Sequence, residues 1–124
     1  MRSQIIAKIL IQKTHSKDDV ERASLAFVVA NVGLSAGQEV TTLLTVDGVW
    51  VATQGYSDGL QANGFAPLAE LVQKFVANGG VLWVCGACAK PRNITAEQLI
   101  PGAQLVGAAA AIEALANGAQ SLSW

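Results

Sequence analysis

The stretch "PLAELVQKFVANGGVLWVC", residues 67–85, joins a helical pattern, a glycine turn and a strand pattern. Apolar residues recur in it at helical spacing, at Leu68, Leu71, Val72, Phe75 and Val76. This spacing predicts an amphipathic helix that begins at Pro67 and ends at Asn78-Gly79-Gly80. The short apolar run at 81–85 then predicts a buried strand. A helix that leads directly into a buried strand is typical of α/β folds.

The same alternation of strands and helices extends along the rest of the chain. Strands are predicted at Ile5–Ile11, Glu39–Val46, 103–107 and 119–124. Helices are predicted from a Ser16/Asp19 capping box to about Asn31–Gly33, near Val49–Ala52, after a Thr95/Gln98 capping box, and at 108–118. The order predicts one three-layer α/β domain over 1–124, with a five-stranded, mostly parallel sheet and helices on both faces.

Composition limits the classes of function. Of the 124 residues 52% are hydrophobic and 14% charged, and the net charge of −1 offers no basic surface for nucleic acid. No apolar run is long enough to insert into a membrane, so the apolar excess predicts a homo-oligomer interface. The N-terminal apolar run contains Lys8 and no small-residue cleavage site, which predicts a strand in place of a signal peptide and hence a cytoplasmic protein.

The predicted topology gathers the reactive side chains at one edge of the sheet. Ligands of open α/β sheets bind outside the carboxyl ends of the strands. There the chain places His15 after the first strand, Asp47 after the second, and Cys85 to Arg92 after the third. The glycine-rich segment 48–65 leaves from the same edge and is expected to cover it.

The surroundings of the two cysteines are those of an activated thiol. A thiolate is favoured by backbone N–H groups at the start of a following helix and by nearby cations, here Lys90 and Arg92. Gly86 has no Cβ and lets a ligand approach the backbone. In a reducing compartment, Cys85 and Cys88 are more often reactive than joined in a structural disulfide.

Several other interpretations of Cys-x-x-Cys stay open from the residues alone. A thioredoxin-like dithiol shares the spacing, although here the motif follows the third strand. Both thiols could be small packing residues. A zinc site would need four ligands, and His15 with the two cysteines supplies three, so no metal is expected. The loop after the first strand has no glycine for a phosphate cradle, so no flavin or other cofactor is expected.

The pattern around the cysteines resembles the DsrE/DsrF-like sulfur-relay family, which has the YchN-like fold. The resemblance lies in VCGAC at 84–88, followed by Lys90 and then Arg92-Asn93-Ile94, as in the Cys-Gly-x-Cys branch often labelled predicted peroxiredoxin. The segments DDVERASLAFVVA (18–30), DGVWVA (47–52) and LAELVQKFVANGGVLWVC (68–85) also resemble it. Asn93 stands where the family has glycine, and Asn also adopts the left-handed conformation.

This resemblance implies a flavodoxin-like subunit of a trimer or hexamer that carries sulfur as a persulfide and passes it from a donor protein to an acceptor protein. By position, the persulfide-bearing residue is Cys85. Cys88 has no counterpart in the single-cysteine carriers, and a thiol there could resolve a persulfide or sulfenic acid as a disulfide. Two alternatives remain: a dithiol redox or peroxide-reducing protein, and a non-catalytic assembly subunit. Whether the chain is an enzyme or a carrier stays open.

Overall fold

The computed structural model describes residues 6–124 of the chain, which form one five-stranded sheet with flanking helices. The strands are β1 (Lys8–Lys13), β2 (Glu39–Leu44), β3 (Val81–Cys85), β4 (Ala103–Val106) and β5 (Gln120–Ser123). They lie in the order β4-β3-β2-β1-β5, and every neighbouring pair is parallel. The three-layer α/β prediction is confirmed.

The helices are α1 (Val20–Ser35), α2 (Leu68–Ala77), the single turn α3 (Gly86–Ala89) and α4 (Ala108–Ala116). Short 3-10 turns lie at Lys17–Asp19, Val46–Ala52, Lys90–Arg92 and Ala96–Gln98. Strands β1 to β4 advance across the sheet in one direction, whereas β5 returns to the far edge beside β1. Right-handed crossovers therefore place α1 and α2 on one face and α4 on the other.

The core lies between the sheet and the α1–α2 layer. Phe27 of α1 meets Phe75 of α2 edge to face, with ring centroids 5.6 Å apart. Both rings are fully buried, together with Leu44, Leu82 and Val84 of the sheet. The other face is covered less completely: α4 has no buried residue, although eight of its nine residues are alanine, isoleucine or leucine.

The start of α1 differs from the predicted Ser16/Asp19 capping box. The Asp19 side chain caps α1 by accepting from the Arg22 backbone N–H at 3.0 Å. The Ser16 hydroxyl is buried without a hydrogen-bond partner, and the Ser16 N–H donates to Asp18 at 2.8 Å. The prediction was wrong because a 3-10 turn intervenes and moves the cap three residues along the chain. The second predicted box, Thr95 with Gln98, is present.

The strand boundaries near the carboxyl edge also differ from the predicted ones. The first strand was expected to end at Ile11, but Gln12 and Lys13 continue the pairing with β2. The second strand ends at Leu44, two residues before the predicted end, because Val46 has a left-handed backbone. Helix α1 runs past the predicted end at 31–33 to Ser35, before Gly37 turns at φ 83°. Residue 5 lies outside the described residues.

Candidate functional site

Both cysteines lie at the carboxyl edge of the sheet, one at the start of a single helical turn and the other within it. Cys85 is the last residue of β3 and caps α3, which contains Cys88. Both thiols are free and half-buried, and each packs against the edge of the core. Because α3 is a single turn, it aligns few backbone N–H groups, and the thiols depend more on their individual neighbours.

A forked ion pair holds the chain around Cys88. The Arg92 guanidinium donates to Asp47 Oδ1 from Nε at 3.2 Å and from Nη2 at 2.9 Å. Its Nη1 donates to the Cys88 carbonyl oxygen at 2.9 Å. Asp47 follows β2 and Arg92 follows α3, so this one side chain ties the loops of two neighbouring strands together.

Val46 completes the surroundings of Cys88 through its backbone. Burial raises the pKa of the Cys88 thiol, and the neighbouring Cys85 side chain acts in the same direction. The Val46 N–H and the charge of Arg92 act against this rise. Val46 has φ 52°, a conformation that a β-branched residue adopts only when its surroundings impose it.

His15 lies at the same edge but belongs to a different cluster. Its Nδ1 is 2.7 Å from Asp18 Oδ2, within its own loop. Strand β2 separates β1, which precedes His15, from the cysteine strand β3. The structure therefore brings Asp47 and Arg92 together beside Cys88, and places His15 with Asp18.

Lys90 and Gly86 take peripheral places in the cysteine loop. Lys90 is exposed at the start of the 3-10 turn after α3. Gly86 follows Cys85 directly, and a Cβ built there would lie 3.4 Å from the Val106 carbonyl oxygen, an ordinary contact. Asn93 closes the loop with φ 57° and ψ 33°, which is the left-handed conformation expected for it.

The segment after β2 lies against the loop after β1. Trp50 stacks on Tyr56 with ring centroids 4.8 Å apart. The Lys17 ammonium lies 5.9 Å from the Tyr56 ring centroid, and so connects this segment to the β1–α1 loop. Part of the predicted cover over the carboxyl edge is therefore present.

A buried lysine at this edge was not predicted. The Lys13 side chain is fully buried, lies 5.6 Å from the Phe27 ring centroid and donates to the His15 carbonyl oxygen. Desolvation lowers its pKa to about 7, against a smaller opposing effect of Asp18. Its sequence signal was the alternation Ile9, Ile11, Lys13, which places it on the buried face of β1.

Gly48 joins the loops after β1 and β2 at close range. Its N–H donates to the carbonyl oxygens of Thr14, at 3.0 Å, and Thr45, at 2.8 Å. A Cβ at this position would lie 2.4 Å from the Lys13 carbonyl oxygen, so only glycine fits without displacing backbone. The turn that contains Val46 and Asp47 is thereby fixed against the end of β1.

The sequence of the chain matches a known protein family. Residues 7–124 match the DsrE/DsrF-like family, which is nearly the whole chain. The chain belongs to this family. The resemblance found in the sequence is confirmed.

Relatives and solved structures agree with this membership. The DsrE/DsrF-like chain is 36% identical over 85 residues to the uncharacterized protein MJ0989 of Methanocaldococcus jannaschii, covering 68% of this chain and 71% of that protein. It is 29% identical over 103 residues to the uncharacterized protein MJ0760 of the same organism, covering 83% of this chain but only 38% of the length of MJ0760.

The fold is that of two solved structures. The YchN protein from E. coli superimposes with a TM-score of 0.73 at 12% identity, covering 97% of this chain and 100% of that one. MTH1491 from Methanobacterium thermoautotrophicum superimposes with a TM-score of 0.71 at 12% identity, covering 95% and 99%. At such low identity the likeness extends to the fold alone.

Two further properties of this DsrE/DsrF-like protein bear on its site. Within residues 6–124, no three side chains of histidine, cysteine, aspartate or glutamate gather as metal ligands would. Over the same residues, no helix has the length and apolar character needed to cross a bilayer.

Proposed function

We propose that this protein carries sulfane sulfur as a persulfide on Cys85 and passes it to a partner protein in the cytoplasm. The observation that carries the proposal is the place of Cys85: a free, half-buried thiol at the carboxyl end of β3, where open α/β sheets bind their ligands. A thiol sealed in the core could not meet a donor, and a fully exposed one would not shield a persulfide.

The transfer needs no external oxidant. The Cys85 thiolate attacks the outer sulfur of a donor persulfide, R–S–SH, and forms Cys85–S–SH while R–S⁻ leaves. An acceptor thiolate then attacks the outer sulfur of Cys85–S–SH, and the Cys85 thiolate is regenerated. Each step breaks one sulfur–sulfur bond and forms another, so the protein ends as it began.

Intact mass spectrometry after incubation with a low-molecular-weight persulfide tests the proposal. We expect an adduct of about 32 Da, one sulfur atom, on Cys85. The matched variants are Cys85→Ser, which should lose the adduct, and Cys88→Ser, which should keep it. An unmodified wild-type protein, or an undiminished adduct in Cys85→Ser, would contradict the proposal.

The place of the two free thiols, one at the N-cap of α3 and one within this single turn, favours a second candidate, a dithiol redox protein. In it, a peroxide ROOH oxidises Cys85 to a sulfenic acid and leaves as ROH, and Cys88 then forms the Cys85–Cys88 disulfide with release of water. A redox titration with thiol trapping tests this candidate. A potential near that of the cytosolic thiol pool would favour it, and a disulfide that does not form would exclude it.

We propose further that the chain forms a homo-oligomer through the face that α4 and β5 leave apolar. Ile112, Leu115 and Leu122 are 66%, 37% and 45% exposed, although all three are large apolar residues. Glu113 is the single charged residue of α4, and permanent interfaces between identical subunits are more apolar than transient ones. If the thiols prove inaccessible in such an oligomer, the non-catalytic assembly role is favoured instead.

A further inference from the structure

The guanidinium of Arg92 is occupied by groups of the protein itself. Its Nε and Nη2 both donate to Asp47 Oδ1, and its Nη1 donates to the Cys88 carbonyl oxygen. Each of the three nitrogens therefore already has a protein acceptor, and the Asp47 carboxylate at 2.9 Å neutralises the charge. An anion that approached the cysteine loop would have to compete with these contacts.

The cations of the neighbouring loop after β1 are engaged in the same way. His15 Nδ1 lies 2.7 Å from Asp18 Oδ2, and Arg22 Nη1 lies 2.6 Å from Asp19 Oδ2. The Lys13 ammonium is fully buried and donates to the His15 carbonyl oxygen. The first two groups are thus matched by carboxylates of their own segment, and the third is closed off from solvent.

Lys90 is the exception in the cysteine loop. It forms no ion pair within residues 6–124, but its side chain is exposed, so water and dissolved salt screen its charge. Proteins usually bind small anions through several charge-assisted hydrogen bonds from fixed donors. A single exposed ammonium supplies no such set.

We infer that Asp47 is a specificity-determining residue. By neutralising Arg92, it makes Cys85 accept sulfur from a thiol persulfide, R–S–SH, in preference to an inorganic dianion such as thiosulfate. The inference rests on the proposed function, because it concerns the sulfur donor of Cys85. With thiosulfate, the Cys85 thiolate would attack the outer sulfur, form Cys85–S–S⁻ and release sulfite. Both reactants are anions, so their repulsion raises the barrier unless an unpaired cation lies beside the thiol.

The variant Asp47→Asn removes the charge and keeps the acceptor. The asparagine carbonyl oxygen can take the place of Oδ1, so Nε and Nη2 of Arg92 retain a partner while the guanidinium charge is no longer neutralised. The matched control is Glu39→Gln. Glu39 is the exposed first residue of β2, at the opposite end of the strand that Asp47 follows, and this change removes the same charge.

Alkylation of Cys85 measures the local charge without a sulfur donor. Iodoacetate is an anion and iodoacetamide is neutral, and mass mapping of the Cys85 peptide gives both rates. Because both reagents need the thiolate, a change in its amount cancels in the ratio of the rates. We expect the iodoacetate to iodoacetamide ratio to rise about twofold in Asp47→Asn and to stay unchanged in Glu39→Gln. An unchanged ratio in Asp47→Asn overturns the inference.

The wild-type protein gives a measurement that does not depend on a variant. If no unpaired, fixed cation lies beside Cys85, the ratio of iodoacetate to iodoacetamide rates should not fall as the NaCl concentration rises. A steep fall would show that the site attracts anions, and this result also overturns the inference. In Asp47→Asn the gain in the ratio should disappear at high NaCl concentration.

Sulfur loading tests the preference itself. The donors are sodium thiosulfate and the persulfide of N-acetylcysteine amide, and the readout is the adduct of about 32 Da on Cys85. Thiosulfate carries two charges, so Asp47→Asn should load from it about fourfold faster than wild type, and from the persulfide at the wild-type rate. Equal changes with both donors would overturn the inference. A wild-type protein that takes sulfur from neither donor contradicts the proposed function, and a raised alkylation ratio in Asp47→Asn would still support the role of Asp47.

Discussion

Arg92 donates to one oxygen of Asp47 through two nitrogens, at 3.2 and 2.9 Å, and so couples the turn after β2 to the cysteine loop after β3. The remaining nitrogen holds the Cys88 carbonyl oxygen. Only a planar guanidinium can make all three contacts at once. The positions of Asp47 and Cys88 are therefore set by the same side chain.

Arg92→Lys keeps the charge and should still weaken this connection. We expect the free energy of unfolding to fall by about 1 kcal/mol, since a half-exposed ion pair loses its fork and its carbonyl contact. Urea denaturation followed by circular dichroism measures the change. The matched control is Arg22→Lys, at an exposed pair with Asp19, where we expect a smaller effect. Equal losses in the two variants would contradict a special role for Arg92.

Lys13 should make the stability depend on pH between about 7 and 10. In the native state its pKa is about 7, and in the unfolded chain it is near the ordinary 10.5. Between these values the unfolded state binds a proton that the native state does not, so stability rises with pH by up to about 1.4 kcal/mol per unit. This stabilisation is fully present above pH 10.5 and is lost progressively as the pH falls from there to 7.

The change Lys13→Met isolates this contribution. Methionine fills a similar volume without a charge and does not titrate. The free energy of unfolding of the wild type should therefore rise relative to that of the variant as the pH increases from 7 to 10. Chemical denaturation at several pH values measures it. A difference that does not change with pH would show that Lys13 titrates normally in the native protein.

Val46→Gly should stabilise the protein, unlike most substitutions by glycine. Glycine adopts φ 52° freely, and relief of about 1–2 kcal/mol of left-handed strain exceeds the entropic cost of glycine, about 0.5–1 kcal/mol. The control is Val32→Gly on the exposed side of α1, where the same change should destabilise. Thermal unfolding of both variants gives the comparison, and effects of the same sign would contradict the prediction.

A charge on the apolar face of α4 should separate the proposed oligomer. Ile112→Lys places an ammonium where Ile112 is 66% exposed, and burying it against a second copy would cost several kcal/mol. Sedimentation velocity should show a smaller species than wild type. Val32→Lys, at a position 63% exposed on α1, is the matched control and should sediment like wild type. A monomeric wild-type protein would contradict the proposal itself.

Apolar periodicity predicted the layers of this fold because the buried positions of a helix or strand recur with the period of that element. The run Leu68 to Cys85 predicted helix, turn and strand in order. The left-handed conformation of Asn93 was expected from the resemblance, because Asn stands there in place of the family's glycine and also adopts this conformation. Val46 was assigned to a strand because β-branched residues favour strands. In the structure it has φ 52° and directly precedes Asp47 and Gly48, whose contacts with Arg92 and with the end of β1 join distant segments that periodicity does not record.

The candidate site was predicted in outline for the same reason. Parallel topology brings the loops after β1, β2 and β3 to one edge, which placed Cys85, Asp47 and His15 there. Which of them touch depends on side-chain geometry: Arg92 reaches Asp47, whereas His15 binds Asp18. The burial of Lys13 was missed because charged residues are rarely fully buried. Its spacing from Ile9 and Ile11 indicated a buried position, but its charge indicated an exposed one.

The return of β5 to β1 affects how the chain folds. Ile9 pairs with Gln120, so one edge of β1 stays open until the chain has been made through β5. Pairing between residues so far apart in sequence is slow, because the chain loses the entropy of closing the loop before the new contacts can offset that loss. Strands β1 to β3 with α1 and α2 can assemble first. Pulse-labelling hydrogen exchange should then find the amides of β5 protected last. Until β5 pairs, the open edge of β1 is exposed to aggregation.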